Sequence, residues 1–324
     1  MKRRGFIGLI GVAAMLPLVS AAQDKVPVVG LLRSTTAGPF ADLVAALRQG
    51  LREEGFEEAR NLVIEQRWAD NVLDRLPGLA AELVQRRAAV IVGNQTAIEA
   101  VKAASPSMPI IFVTGEDPVR AGLVASLNRP GGNVTGVTFF GGSQLNAKRM
   151  ELLQEIVPNA KTVAVLGDPG YAAFERELPE VEATARKLGW RLLIERAGSP
   201  SEFETAFAKF AKAKADALLA SGSPLFTSQG KALAALAQTY RLPTIYDVRN
   251  VAVAGGLISY SSSLSDAYRQ AGEYAGRILK GARPGELPVL QATTFELTIN
   301  LQVAREIGLT VPQSLLARAD EVIE

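Results

Sequence analysis

The stretch NRPGGNVTGV, Asn128 to Val137, decides how this chain is organised. A proline and two adjacent glycines interrupt it, and a β-rich run, NVTGVTFF from Asn133 to Phe140, resumes directly afterwards. About four strand-and-helix units precede the interruption and three more follow it up to Tyr240. The stretch therefore reads as a joint at which the chain crosses from one lobe to another.

Working outward, strand candidates upstream are Val26 to Leu32, Asn61 to Trp68, Ala89 to Gly93 and Pro109 to Thr114. Downstream they are KTVAVLG, WRLLIE, DALLAS, PTIYD, GGLISY and FELTINL. Amphipathic stretches alternate with these runs, which argues for α/β architecture with parallel sheets. Phe40, Leu43, Val44, Leu47 and Leu51 keep helical spacing and stop at Gly55, a suitable left-handed terminator. Phe203, Ala206, Phe207 and Phe210 repeat the pattern behind a capping box, Ser201-x-x-Glu204. Leu264, Tyr268, Ala271, Tyr274 and Ile278 do so again behind Ser263-x-x-Asp266, ending at Gly281. These stripes are core faces. The expected division gives residues 23–137 and 246–292 to one lobe, and 138–245 and 293–324 to the other. A chain that leaves a lobe and returns makes crossing hinge strands, so the expected fold is two Rossmann-like lobes with parallel sheets and a cleft between them.

Residues 1–22 have a basic start (Lys2, Arg3, Arg4), an apolar run from Phe6 to Val19 and small residues Ser20, Ala21 and Ala22. That is a signal-peptide pattern, with cleavage expected after Ala22 and export to the periplasm. Arg3 and Arg4 followed by Gly5 and Phe6 also fit a twin-arginine signal, with Lys2 where that pattern has Ser or Thr, so the ordinary secretory route stays open. Without the leader, 32 Lys and Arg stand against 33 Asp and Glu, and the scattered charge offers no footprint for nucleic acid or anionic lipid. The 324 residues contain no His and no Cys, which excludes imidazole bases, thiolate nucleophiles and the commonest transition-metal ligands. No phosphate-binding or nucleophile-elbow signature occurs, and no cofactor or metal is expected.

In open α/β sheets ligands sit beyond the carboxyl ends of strands, so the site candidates are the polar residues of those loops. They are Ser34 and Thr35 after the first strand, Asn94, Gln95 and Thr96 after the third, and Thr114 and Glu116 after the fourth. The second lobe offers Asp168, Ser221, Ser223 and, more weakly, Tyr246. Hydroxyls, amides and helix-start N–H groups suit a carboxylate ligand. Ser34, Thr96 and Ser223 equally suit helix capping, and Tyr246 suits a buried core position better than a stacking surface. Adjacent Glu116 and Asp117 cannot easily flank one bond, which argues against paired-carboxylate catalysis.

Four blocks, LVASLNRPGGNVTGVT, KRMELLQEIVPNAKTVAVL, RLPTIYDVRNVAVAGGLISY and FELTINLQVAREIGLTVPQSLLARADEVIE, carry a resemblance that covers essentially the whole chain. It resembles the ABC-transporter substrate-binding protein family, in the group whose known ligands include aromatic amino acids. The resemblance implies a type I periplasmic-binding fold. It also implies capture of a small solute, amino-acid-like or another small organic carboxylate, for a permease and ATPase on separate chains. Gln95-Thr96-Ala97 stands where such relatives often carry Thr-Pro or Ser-Pro, and RSTTAGPF, Arg33 to Phe40, departs from the aromatic-amino-acid binders. The expected function is solute binding for import, with contact to the membrane only through the permease. The alternatives are a ligand-sensing partner of a membrane receptor and a carboxylate-based periplasmic enzyme.

Overall fold

The computed structural model describes residues 26–139, 143–291 and 295–324. The leader, residues 1–22, lies outside the described residues. The strands are β1 (Val28–Arg33), β2 (Val63–Trp68), β3 (Val90–Asn94), β4 (Ile110–Thr114), β5 (Val134–Thr138), β6 (Thr162–Gly167), β7 (Arg191–Arg196), β8 (Ala217–Ala220), β9 (Thr244–Tyr246), β10 (Ile258–Ser262), β11 (Leu290–Gln291), β12 (Phe295–Asn300) and β13 (Glu321–Ile323). The α-helices are α1 (Ala41–Glu53), α2 (Leu76–Gln85), α3 (Gln95–Ala104), α4 (Ser143–Ile156), α5 (Ala172–Leu188), α6 (Pro200–Lys212), α7 (Pro224–Ser228), α8 (Gly230–Thr239), α9 (Arg249–Val253), α10 (Leu264–Leu279), α11 (Leu301–Glu306) and α12 (Gln313–Leu316).

They build two sheets, ordered β11-β5-β4-β3-β1-β2 and β13-β12-β10-β9-β8-β6-β7. All pairings are parallel except β10 with β12. Burial on both faces explains why strands such as β4 (IIFVT) and β8 (ALLA) are almost wholly apolar. In the first lobe α1 and α10 cover one face, packing on Val29, Leu31, Val90 and Ile111, while α2 and α3 cover the other over Leu32, Ile91 and Ile110. In the second lobe α4, α5 and α11 cover one face and α6, α8 and α9 the other. Among the described residues no helix is long and apolar enough to cross a membrane.

Three sequence expectations shift. The Asn128 to Val137 stretch is not itself the crossing, because β5 pairs with β4 and β11 inside the first sheet. Gly131 and Gly132 have φ of 74° and 64°, so they serve a turn ahead of β5. Gly136 sits within β5, where a Cβ would run into the Phe112 carbonyl. The chain leaves the first sheet only after Thr138. Secondly, residues 246–262 go with the second sheet, since β10 pairs with β9 and β12. The return is made by α10, which buries Tyr268, Ala271 and Tyr274 against the first lobe's core. Thirdly, Ser201 caps nothing: α6 starts earlier, with Pro200 at its first position behind Ser199. Ser263 does cap α10, its hydroxyl accepting the Asp266 N–H at 3.3 Å, though the Asp266 carboxylate binds Arg269 and Gln270 instead of closing the box, and Gly55 and Gly281 both have positive φ.

Candidate functional site

Parallel strands present all their carboxyl ends on one side, and the two sheets turn these ends toward a shared cleft with about 820 Å³ of empty space. Its first-lobe wall includes Arg33, Phe40, Asn94, Gln95, Thr114 and Phe139. Its second-lobe wall includes Asn146, Arg149, Tyr171, Glu177, Ser223 and Asp247, with Ser262 and Leu264 at a chain crossing.

Arg33 ends β1 and is 5 % exposed. Its guanidinium lies over the Phe40 ring at 4.1 Å, and Nη1 donates to the Tyr268 hydroxyl. Phe40 in turn stacks on Trp68, ring centroids 6.2 Å apart. Loss of water pulls the Arg33 pKa down to about 9, and no carboxylate among the described residues offsets that burial. Its Nε is buried without a hydrogen-bond partner. A buried cation in this state is incomplete until an anion arrives.

The neighbouring loops are tied together. Asn94 accepts the Ser34 N–H at 3.1 Å and donates to the Ser34 hydroxyl at 3.0 Å, fastening the ends of β1 and β3. Thr114 donates to Gln95 Oε1 at 3.0 Å and accepts the Glu116 N–H at 3.1 Å. These bonds fasten the loops of the first wall to one another beside Arg33.

The second wall is acidic. Burial pushes the Asp247 carboxyl above its ordinary range, against the pull of Arg149. Glu177 is raised for the same reason, although Asn146 Nδ2 donates to its Oε2 at 2.8 Å. Arg149 is held by bonds to the Tyr260 carbonyl and Asn146 Oδ1, 2.9 and 2.8 Å, and burial lowers its pKa. The wall thus sets two desolvated acids against one fixed cation. Gly222 keeps the room for Asp247, since a Cβ there would overlap its carboxylate.

Of the sequence candidates, Asn94, Gln95, Thr114 and Ser223 line this cleft. Ser34, Thr96 and Asp168 line a smaller adjoining chamber instead. Ser223 does cap α7, accepting the Phe226 N–H at 3.0 Å; Thr96 caps nothing, because the position before α3 belongs to Asn94. Glu116 lies apart from the cleft's lining and pairs with Arg176 of α5, across the lobes. Thr35, Ser221 and Tyr246 line neither space: each is buried with an unpartnered hydroxyl. Tyr246 belongs to the second lobe's core beneath α9 and Gly256, so it is a packing residue rather than a stacking surface. The sequence reading missed Arg33, Phe40, Arg149, Tyr171 and Glu177. For Arg33 a signal existed, a lone charge closing an apolar strand; for the others, set on helices or loops by tertiary packing, none did.

Comparison with known proteins gives a consistent result. The family described as ABC transporter substrate binding protein matches residues 38–323. A protein named tyrosine-binding protein from Clostridioides difficile is 25% identical over 253 residues, covering 78% of this chain and 72% of that one. Among solved structures, a conserved domain protein from Vibrio cholerae is 27% identical with a TM-score of 0.85, covering 92% of this chain and 100% of that one. A Streptococcus pneumonia ABC domain in complex with L-Trp is 25% identical with a TM-score of 0.84, covering 92% and 99%. The two-lobed architecture described above is that of the type I periplasmic-binding fold.

Proposed function

The chain belongs to the ABC transporter substrate-binding protein family, and on that premise we propose that its solute is an α-amino acid held between the two lobes. A solute-binding role for an ABC importer follows from the family itself. The observation that carries the amino-acid reading is Arg33, a buried cation without a carboxylate, on the wall opposite two desolvated acids. A zwitterion completes both walls: its carboxylate meets Arg33, and its ammonium meets Asp247 and Glu177. Phe40 and Phe139 line the same space and suit an aromatic or apolar side chain. The relatives' ligands, tyrosine and L-Trp by name, support this reading.

Binding couples to closure in this proposal. Only a shut cleft lets one molecule touch both walls, so the solute favours the closed form by the difference in its contacts. The leader exports the chain, and the closed form is what a permease on a separate chain recognises before its ATPase drives import. Native mass spectrometry of protein released from the periplasm reads both parts at once. The expected mass is that of a chain beginning near Gln23 with an amino-acid adduct, whose binding calorimetry then reproduces. A chain retaining Met1 in the membrane fraction overturns export, and binding by none of the twenty amino acids overturns the solute.

A further inference from the structure

Beyond the cleft, a second chamber opens between the lobes, with about 470 Å³ of empty space that includes its mouth to solvent. Tyr171 and Pro224 line both spaces, at the place where the two adjoin. Asn71 and Gly198, which line the chamber, follow the edge strands β2 and β7, so it occupies the side of the cleft away from the chain crossings.

Asp168 is the only carboxylate among the described residues lining it. The residue is 6 % exposed, and its Oδ1 accepts the Gly170 N–H at 2.8 Å. Burial outweighs that bond and the pull of the Ser223 hydroxyl, and raises the carboxyl above its ordinary range. No cation among the described residues contributes to that balance. A carboxylate offers about four acceptor positions, so capacity remains after the Gly170 bond. The chamber therefore joins empty space, a wall from each lobe and a desolvated acceptor with no counter-ion.

We propose that this outer chamber is a second subsite, in which Asp168 receives an N–H or O–H group at the far end of an amino-acid-like solute. The assignment rests on the amino-acid reading of the inner cleft. The head group seats between Arg33 and Asp247, the stem passes Tyr171 and Pro224, and the terminal donor reaches Asp168. Thr96 closes the chamber from the first lobe. A solute lacking the donor leaves a buried carboxylate uncompensated, and that penalty makes the subsite selective.

Calorimetric titration of the mature protein with two matched pairs isolates the terminal group: L-tyrosine against L-phenylalanine, and L-lysine against L-norleucine. In at least one pair the donor-bearing member binds about ten- to a hundredfold more tightly. Which pair responds distinguishes a phenol from an ammonium. Asp168→Asn collapses that ratio, and Thr96→Phe, which narrows the chamber from the other lobe, lowers it without touching the carboxylate. Equal binding within both pairs, or a ratio that survives both substitutions, overturns the subsite while leaving the inner cleft intact. Binding by none of the twenty amino acids overturns the amino-acid reading, and the subsite with it.

Discussion

The seam between α1 and α10 and the cleft they help to support follow opposite rules. At the seam two glycines face each other's helices: a Cβ on Gly272 would run into the Leu47 carbonyl, and one on Gly50 into that of Arg269. Its charges are matched, Arg269 with Glu53, Asp266 and Glu273, and Glu54 with Arg277 and Lys280. Exposed pairs of this kind contribute about 0–1 kcal/mol each, so close backbone packing is what holds the helices together. The cleft has the reverse character, with Arg33 lacking a carboxylate and the half-buried Asp247 and Glu177 raised by partial loss of water. Tyr268 joins the regions, its ring in the seam's core and its hydroxyl on Arg33. Matched groups mark what must not move, and unmatched ones mark what a solute completes.

The largest expected break of this contrast is Arg33→Met. Losing one partner of a buried charge pair costs about 2–5 kcal/mol, or roughly thirty- to several-thousandfold in affinity. Stability should move the other way or not at all, because an uncompensated buried cation is replaced by an apolar side chain of similar reach. Calorimetry and thermal melts of the ligand-free variant check both signs, and a melt that falls together with affinity would return Arg33 to a structural role.

Gly272→Ala tests the seam. Overpacking costs about 1–3 kcal/mol, and here the obstacle is backbone that cannot rotate away. The melting temperature should drop with affinity per folded molecule unchanged; a lost affinity at an unchanged melt would contradict the separation of the two regions.

The smallest effect is expected at Glu116→Gln. Glu116 pairs with Arg176 across the lobes, and Ser228 bonds Asn71 across them at 3.2 Å. Arg176 is partly exposed, so its loss of a partner is softened by water. Small-angle scattering should give a larger radius of gyration without ligand and the same one at saturation, with affinity reduced a few-fold at most. An unchanged ligand-free profile would remove this pair from the proposed closure.

Much of the fold was legible because parallel strands covered on both faces leave unmistakable apolar runs, and the helical stripes end on Gly55 and Gly281 where the backbone turns left-handed. Boundaries between lobes were less so. Residues 246–262 look no different from first-lobe sequence, and only the pairing of Ser259 with Tyr246 and Thr298 assigns them. Loop positions led to Asn94, Gln95, Thr114 and Ser223 as parts of the cleft lining, since strand ends are local. Partners were invisible: Ser34 meets Asn94 sixty positions away and Arg33 meets Tyr268 across 235. A hydroxyl's direction is equally tertiary, which is why Thr35, Ser221 and Tyr246 turned into the protein.

Seen in order of synthesis rather than in space, the return of α10 has a further consequence. The first sheet's strands β1 to β5 are made early, but the face that buries Leu31, Leu47 and Ile111 stays open until Tyr268, Ala271 and Tyr274 emerge. β11 then adds the outermost strand beyond β5. Contacts of such sequence separation form late, because a long loop must close before they stabilise anything. The N-terminal half is thus an incomplete domain, one face of its sheet covered by α1 alone until α10 is made, whereas β6 to β10 of the second lobe run without interruption. The arrangement delays completion of the first lobe until nearly the whole polypeptide exists.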